Sequence, residues 1–159
     1  MTTAPILPFR LRKRISQYEW TGATTSTVDE DHGLIRLEED RIVIETTRSR
    51  RIRKMSALGS TETTYENFPV EEHSIALGDI TGVTFRVPTW NFWSAPRVVF
   101  HVREMRVLEG LPGADAAEFS VPVLYRDRAV ANAFVVQCHV ALTAAKPPLP
   151  DGTAIVTGG

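Results

Sequence analysis

The chain has 159 residues, 43% of them hydrophobic and 23% charged, which suits one soluble domain with a proper core. A net charge of −1 excludes a global electrostatic pull toward nucleic acid or membrane and leaves any such role to local patches. The single cysteine, Cys138, excludes an intramolecular disulfide and a Cys-rich zinc site, and it fits a cytoplasmic setting.

In chain order, residues 1–14 read as an N-terminal arm: Pro5 and Pro8 break a short apolar piece, and a basic run follows. A secretory signal has the opposite order and a longer apolar region. The stretch "ISQYEWTGAT" predicts a first strand, because Ser16, Tyr18 and Trp20 alternate with Gln17 and Glu19. "TSTVDEDHG" is expected as a polar turn. "GLIRLEEDRIVIET" predicts two short strands joined at Glu39-Asp40, the second running on through "TRSRRIRKM". "SALGSTETTYENFPVEEH" reads as a long polar connection with room for a short strand. In "SIALGDITGVTFRV", Gly78-Asp79 breaks the strand, and Val83, Phe85 and Val87 resume on one face.

The loop "VPTWNFWSAP" holds Trp90, Phe92 and Trp93 between two prolines. Such a loop either caps an open end of the sheet or forms an apolar knob that anchors a partner or a membrane interface. "RVVFHVREMRVL" follows, with Val98, Phe100 and Val102 in phase until Glu104, where a bulge or a departure from the core is expected. "EFSVPVLY" predicts a strand with Phe119, Val121, Val123 and Tyr125 on one face, and Pro122 places it at an edge or a bulge. One helix is expected, with Asp127 as N-cap and its body reaching Lys146. It is close to membrane-span length, but Asn132, Gln137 and His139 interrupt it, which argues against a span. Residues 147–159 are Pro- and Gly-rich and read as a flexible tail. Residues 15–146 are therefore expected to form one domain.

On a helical wheel, Val130, Ala131, Phe134, Val135, Cys138, Ala141 and Leu142 share one arc that should face the sheet. Ala129, Ala133, Val136, Val140 and Ala144 lie nearly opposite. A helix backed by water should be polar there, so a cover is expected: the "APILPF" arm, the "TAIV" tail or another protein chain. Ala133, Val136 and Val140 are accordingly candidate partner-binding residues, together with Trp90, Phe92 and Trp93.

No nucleophile, dinucleotide or phosphate-loop motif occurs. "DEDHG" lacks the spacing of a calcium loop and reads as a solvated acidic turn. The four histidines are scattered, and His101 and His139 are expected at the surface. No catalytic residue, metal site or cofactor is expected. Two basic clusters stand out, "RLRKR" and "RSRRIRK". In an extended strand Arg48, Arg50 and Lys54 share one face and Arg51 and Arg53 the other. These five are candidate anion-binding residues, and the second cluster is expected on a protruding hairpin or an edge. The bland alternative is that both clusters pair with the acidic runs elsewhere. No aromatic interleaves with the second cluster, which disfavours single-stranded nucleic acid.

Strands followed by one closing helix, carried by "GLIRLEEDRIVIE", "SIALGDITGVTF" and "RDRAVANAFVVQCHVAL", resemble the bacterial pleckstrin-homology-like family over about residues 29–146. The resemblance implies a mainly β fold with one C-terminal α-helix, in which the helix caps a bent antiparallel sheet or partly open barrel. It also implies a non-catalytic interaction module in a cytoplasmic, bacterial setting. A protein partner or a homo-oligomer is expected first. An anionic membrane surface or other polyanion, with the protein peripheral to the membrane, is the alternative. Lipid-binding members of that family hold phosphoinositides through basic residues at the first hairpin loop, whereas here that loop carries Glu38, Glu39 and Asp40.

Overall fold

The computed structural model describes residues 5–89 and 94–146. Among the described residues nine strands precede one helix: β1 (Leu7–Tyr18), β2 (Thr24–Leu37), β3 (Arg41–Met55), β4 (Thr61–Asn67), β5 (Glu71–Ala76), β6 (Ile80–Arg86), β7 (Arg97–Val102), β8 (Ala114–Asp115), β9 (Glu118–Pro122) and α1 (Arg128–Ala145). They form two antiparallel sheets. The first has the order β1-β2-β3-β4, with β5 also paired to β3, and the second has the order β6-β7-β9-β8. The chain is thus mainly β with one C-terminal helix, as the sequence predicts, and its sheets do not close into a barrel.

One core lies between the sheets and the helix. Leu7, Phe9, Ile35, Ile42, Ile44 and Ile75 come from the first sheet, Val83, Val98, Phe100, Phe119 and Val121 from the second, and Ala131, Phe134, Val135 and Cys138 from α1. Its centre is aromatic. Phe100 stacks on Phe119 at 5.7 Å between centroids, Phe134 meets Phe100 edge-on at 6.2 Å, and Phe9 meets Phe119 edge-on at 6.2 Å. The His139 ring crosses from the helix to the sheet, where its Nε2–H donates to the Val83 carbonyl at 2.6 Å.

Several expectations change. The segment read as an arm is, from Leu7 on, the first strand. Its Leu7 and Phe9 are buried because they alternate toward the core. "TSTVDEDHG" is not a turn but the first half of β2. Its acidic residues sit in a strand because arginines of β3 face them: Asp29 opposite Arg50 and Asp31 opposite Arg48. Gly33 in the same run faces Phe9 across the β1–β2 pair. A side chain there would overlap the Phe9 ring. The polar connection after Met55 contains β4 and leads into β5. After Val102 the chain leaves the sheet into a short 3-10 turn, Met105–Leu108. Val87 is exposed rather than inward. Val130 is also exposed, although its neighbour Ala131 in the same turn of α1 is fully buried. Asp127 occupies the N-cap position, but its side chain makes no capping hydrogen bond.

Candidate interaction surface

β1, β2 and β3 have 12, 14 and 15 residues, about twice the usual strand length. One end of each builds the core. The other ends, with β4, continue as a four-stranded ribbon that contributes nothing to the central core cluster. β4 is exposed along its whole length. A sheet extended past its core buries little apolar area, so its two faces can be occupied by charge.

The register assigns each residue to a face, because directly opposed residues of an antiparallel pair point the same way. Lys13, Asp29, Arg50 and Glu66 form one cross-strand row, and Leu11, Asp31 and Arg48 another. This face continues the core face. Its charges in the ribbon are balanced: Lys13, Arg48, Arg50 and Lys54 against Asp29, Asp31, Glu62 and Glu66. Two pairs are made directly. Arg48 Nε donates to Asp31 Oδ1 at 2.8 Å, and Arg50 Nε donates to Asp29 Oδ1 at 2.7 Å. The Arg50 hydrogen bond holds the Asp29 carboxyl below its ordinary value, and the Asp31 hydrogen bond raises the Arg48 guanidinium. The Arg50 guanidinium also lies 5.4 Å from the centre of the Phe68 ring.

The outer face is different. Arg14, Val28, Arg51 and Tyr65 form one row, and Arg12, Glu30, Ser49 and Asn67 the next. Arg10 and Arg53 lie on the same face. Five arginines (Arg10, Arg12, Arg14, Arg51 and Arg53) therefore share a surface with one carboxylate, Glu30. Arg10 holds Glu30 at 2.6 Å, and His32 Nε2 lies 2.7 Å from the same oxygen. The hydrogen bond from Arg10 is the main reason that the Glu30 carboxyl titrates below its ordinary value. Among the described residues no ion pair engages Arg12, Arg14, Arg51 or Arg53, and all four are exposed. Val28, between Arg14 and Arg51, is only 7% exposed. Such burial on an outer face fits coverage by the flanking arginine stems, which keep their charged heads in water. A shallow groove of about 350 Å³ runs over this face, lined by Arg10, Arg12, Ser49, Arg51, Tyr65 and Asn67 among others.

The structure thus divides the expected anion-binding residues. Arg48 and Arg50 are tied to carboxylates on the balanced face. Lys54 also lies on that face, opposite Glu62. Arg51 and Arg53 stand on the basic face, joined there by arginines of the "RLRKR" run. The signal for that union was the two-residue spacing of Arg10, Arg12 and Arg14, which reads as one face once the run is a strand rather than an arm.

Trp90, Phe92 and Trp93 lie outside the described residues. Ala133, Val136 and Val140 are exposed on the outward side of α1, Val136 at 54% and Val140 at 66%. The arm does not cover them, since its Leu7 and Phe9 enter the core, and the "TAIV" tail lies outside the described residues. The loop expected as the first hairpin is the second, joining β2 to β3, because β1 and β2 already form a hairpin, and it carries its own pairing. Arg41 and Arg36 both bond Glu38, and Arg36 reaches Glu45 and Glu72 as well.

His101 is half-buried, with Nδ1 3.1 Å from Glu118 Oε1. Among the described residues no group of three or more His, Cys, Asp or Glu side chains could hold a metal ion. No described helix is long and apolar enough to cross a membrane. No known protein family, curated protein or solved structure matches this chain.

Proposed function

We propose that this protein is a non-catalytic interaction module that binds a polyanionic partner on the outer face of the β1–β4 ribbon. One observation carries this reading: five arginines from two strands converge on a face with a single carboxylate, while the opposite face of the same ribbon is charge-balanced. Like charges gathered on one sheet face repel one another. Their concentration there, in a chain of net charge −1, is explained by a ligand that supplies the missing negative charge. The pleckstrin-homology-like resemblance belongs to this proposal, as it too implies a binding module. The acidic loop with Glu38, Glu39 and Asp40 joins β2 to β3, so the first hairpin of that resemblance is the β1–β2 turn at Glu19–Ala23, at the end of this ribbon.

The test is retention on an immobilised polyanion such as heparin. Wild type should elute only at raised salt, and Arg51→Glu/Arg53→Glu should elute far earlier. Equal elution of the two would remove the face from consideration.

A second reading, self-association through α1, is favoured by the exposure of Val136 and Val140 on an otherwise small-residue face. It predicts that Val136→Glu/Val140→Glu lowers the mass measured by light scattering without unfolding the domain. An unchanged mass would rule it out.

A further inference from the structure

We infer that the polyanion of the preceding proposal, on which this inference rests, is a single-stranded nucleic acid laid across the outer face of the ribbon. The run "RSRRIRK" contains no aromatic residue, but the fold supplies one from the neighbouring strand. β4 pairs with β3 so that Tyr65 stands directly opposite Arg51 and Thr63 opposite Arg53. Tyr65 is 71% exposed and contributes nothing to the core cluster. At the other edge of the same face, Tyr18 ends β1 at 80% exposure, and Trp20 follows it in the β1–β2 turn at 98%. Arg51 and Arg53 of β3 lie between the two edges.

A lone exposed aromatic needs no explanation. Rings set around arginines that have no ion-pair partner among the described residues are a more specific arrangement. A single strand of nucleic acid offers one phosphate per nucleotide and, between phosphates, a base with a π face. Both parts find partners here. Arg12 and Arg14 are about 6.6 Å apart along β1, as are Arg51 and Arg53 along β3, a step comparable with one nucleotide of an extended backbone. Guanidinium forks take phosphate oxygens in pairs. A base can stack on Tyr65, since every base has a π face, and the Arg51 guanidinium beside the ring can share the contact.

The groove of about 350 Å³ brings these groups together, since Arg12, Arg51, Tyr65 and Asn67 all line it. Asn67 carries an amide that can donate to a base edge and accept from it. Glu30, the one carboxylate among the lining residues, is already held by Arg10 at 2.6 Å. A sulfated polysaccharide would engage the arginines and leave Tyr65, Tyr18 and Trp20 without a role. A duplex presents its phosphates but keeps its bases stacked inside, so the rings would again be idle. Only an unpaired strand uses both the charge and the aromatics.

The experiment compares two labelled probes of about 12 units, oligothymidylate and the abasic phosphodiester of the same length, by fluorescence anisotropy and beside heparin retention. The proteins are wild type, Tyr65→Phe and Tyr65→Leu. Position 65 lies on an exposed edge strand, so the fold is retained, as circular dichroism will check. Wild type and Tyr65→Phe should bind oligothymidylate about fivefold or more tightly than the abasic probe. Tyr65→Leu should bind oligothymidylate weaker than wild type by a similar factor, with its heparin retention unchanged, because no charge is removed. If wild type is retained by heparin but binds the two probes equally or binds neither, or if Tyr65→Leu binds oligothymidylate as wild type does, the nucleic-acid inference is overturned and the polyanion reading survives. The same holds if vesicles of anionic lipid float the protein and oligothymidylate does not bind. If wild type binds neither heparin nor either probe, both readings fall.

Discussion

Replacing Gly33 with alanine probes the junction between core and ribbon. Gly33 faces Phe9 across the β1–β2 pair. A Cβ added there would overlap the Cζ and Cε1 atoms of the Phe9 ring and come within 2.7 Å of the Glu45 carbonyl oxygen. The oxygen belongs to the β3 backbone and cannot rotate away. The ring is 6% exposed and held edge-on by Phe119 at 6.2 Å. Forcing one extra methyl into a packed site costs ~1–3 kcal/mol, and expelling the ring altogether approaches the ~3–5 kcal/mol of a buried Phe truncation. Gly33→Ala should therefore destabilise the domain by ~2–4 kcal/mol. Urea unfolding should show this as a lower midpoint at an unchanged slope. In a Phe9→Ala background the ring is gone and only the carbonyl contact remains, so the same substitution should cost at least ~1 kcal/mol less. A neutral Gly33→Ala, or the same cost in both backgrounds, would refute this packing.

Three further outcomes are expected. Burial pushes the Cys138 thiol up to about 12, so iodoacetamide should label it slowly in the native protein at mildly alkaline pH and readily after unfolding. Native labelling at a free-thiol rate, read by mass spectrometry, would contradict its place in the core. Asp29 and Glu30 titrate below their ordinary values of 3.8 and 4.5 because arginines bond them. Their stabilising contribution is therefore present above those values and lost as pH falls through the lowered ones. Acid unfolding followed by circular dichroism should show the loss below about pH 4, and Arg50→Gln should shrink the part due to Asp29. Phe134→Ala removes a fully buried ring packed on Phe100 and should cost ~3–5 kcal/mol in the same denaturation assay. A cost under ~1 kcal/mol would mean that α1 is not docked as described.

Much of the fold was legible because core residues recur at every second position of a strand, although Val43 and Val99 between them are buried as well. Val98, Phe100 and Val102 do so, as do Phe119 and Val121, and the inward helix arc was readable from Ala131, Phe134, Val135 and Cys138. The ribbon was harder to read because its strands carry no apolar phase. "TSTVDEDHG" looks like a turn by composition and becomes a strand through its neighbour, since the two-residue spacing of Asp29 and Asp31 matches that of Arg48 and Arg50 across the register. The signal was complementarity between two segments, which a window on either alone does not contain. The basic face was hidden for the same reason. Arg10, Arg12 and Arg14 meet Arg51 and Arg53 only through β2, and only after the apparent arm has become a strand. Trp20 read as an ordinary strand residue because its exposure depends on where the turn falls.

The central claim is that one ribbon face binds polyanions and the other does not. Its most direct test is the affinity for a heparin fragment measured over a range of salt for three proteins: wild type, Arg51→Gln/Arg53→Gln and Lys13→Gln/Lys54→Gln. Both variants lose the same net charge, but from opposite faces. A polyanion contact releases counterions, so the slope of log affinity against log salt reports the number of cations engaged. The account predicts a shallower slope and weaker binding for the arginine variant, with the lysine variant close to wild type. Equal losses for the two variants would mean that net charge alone governs binding, and that the arginine face is not a site.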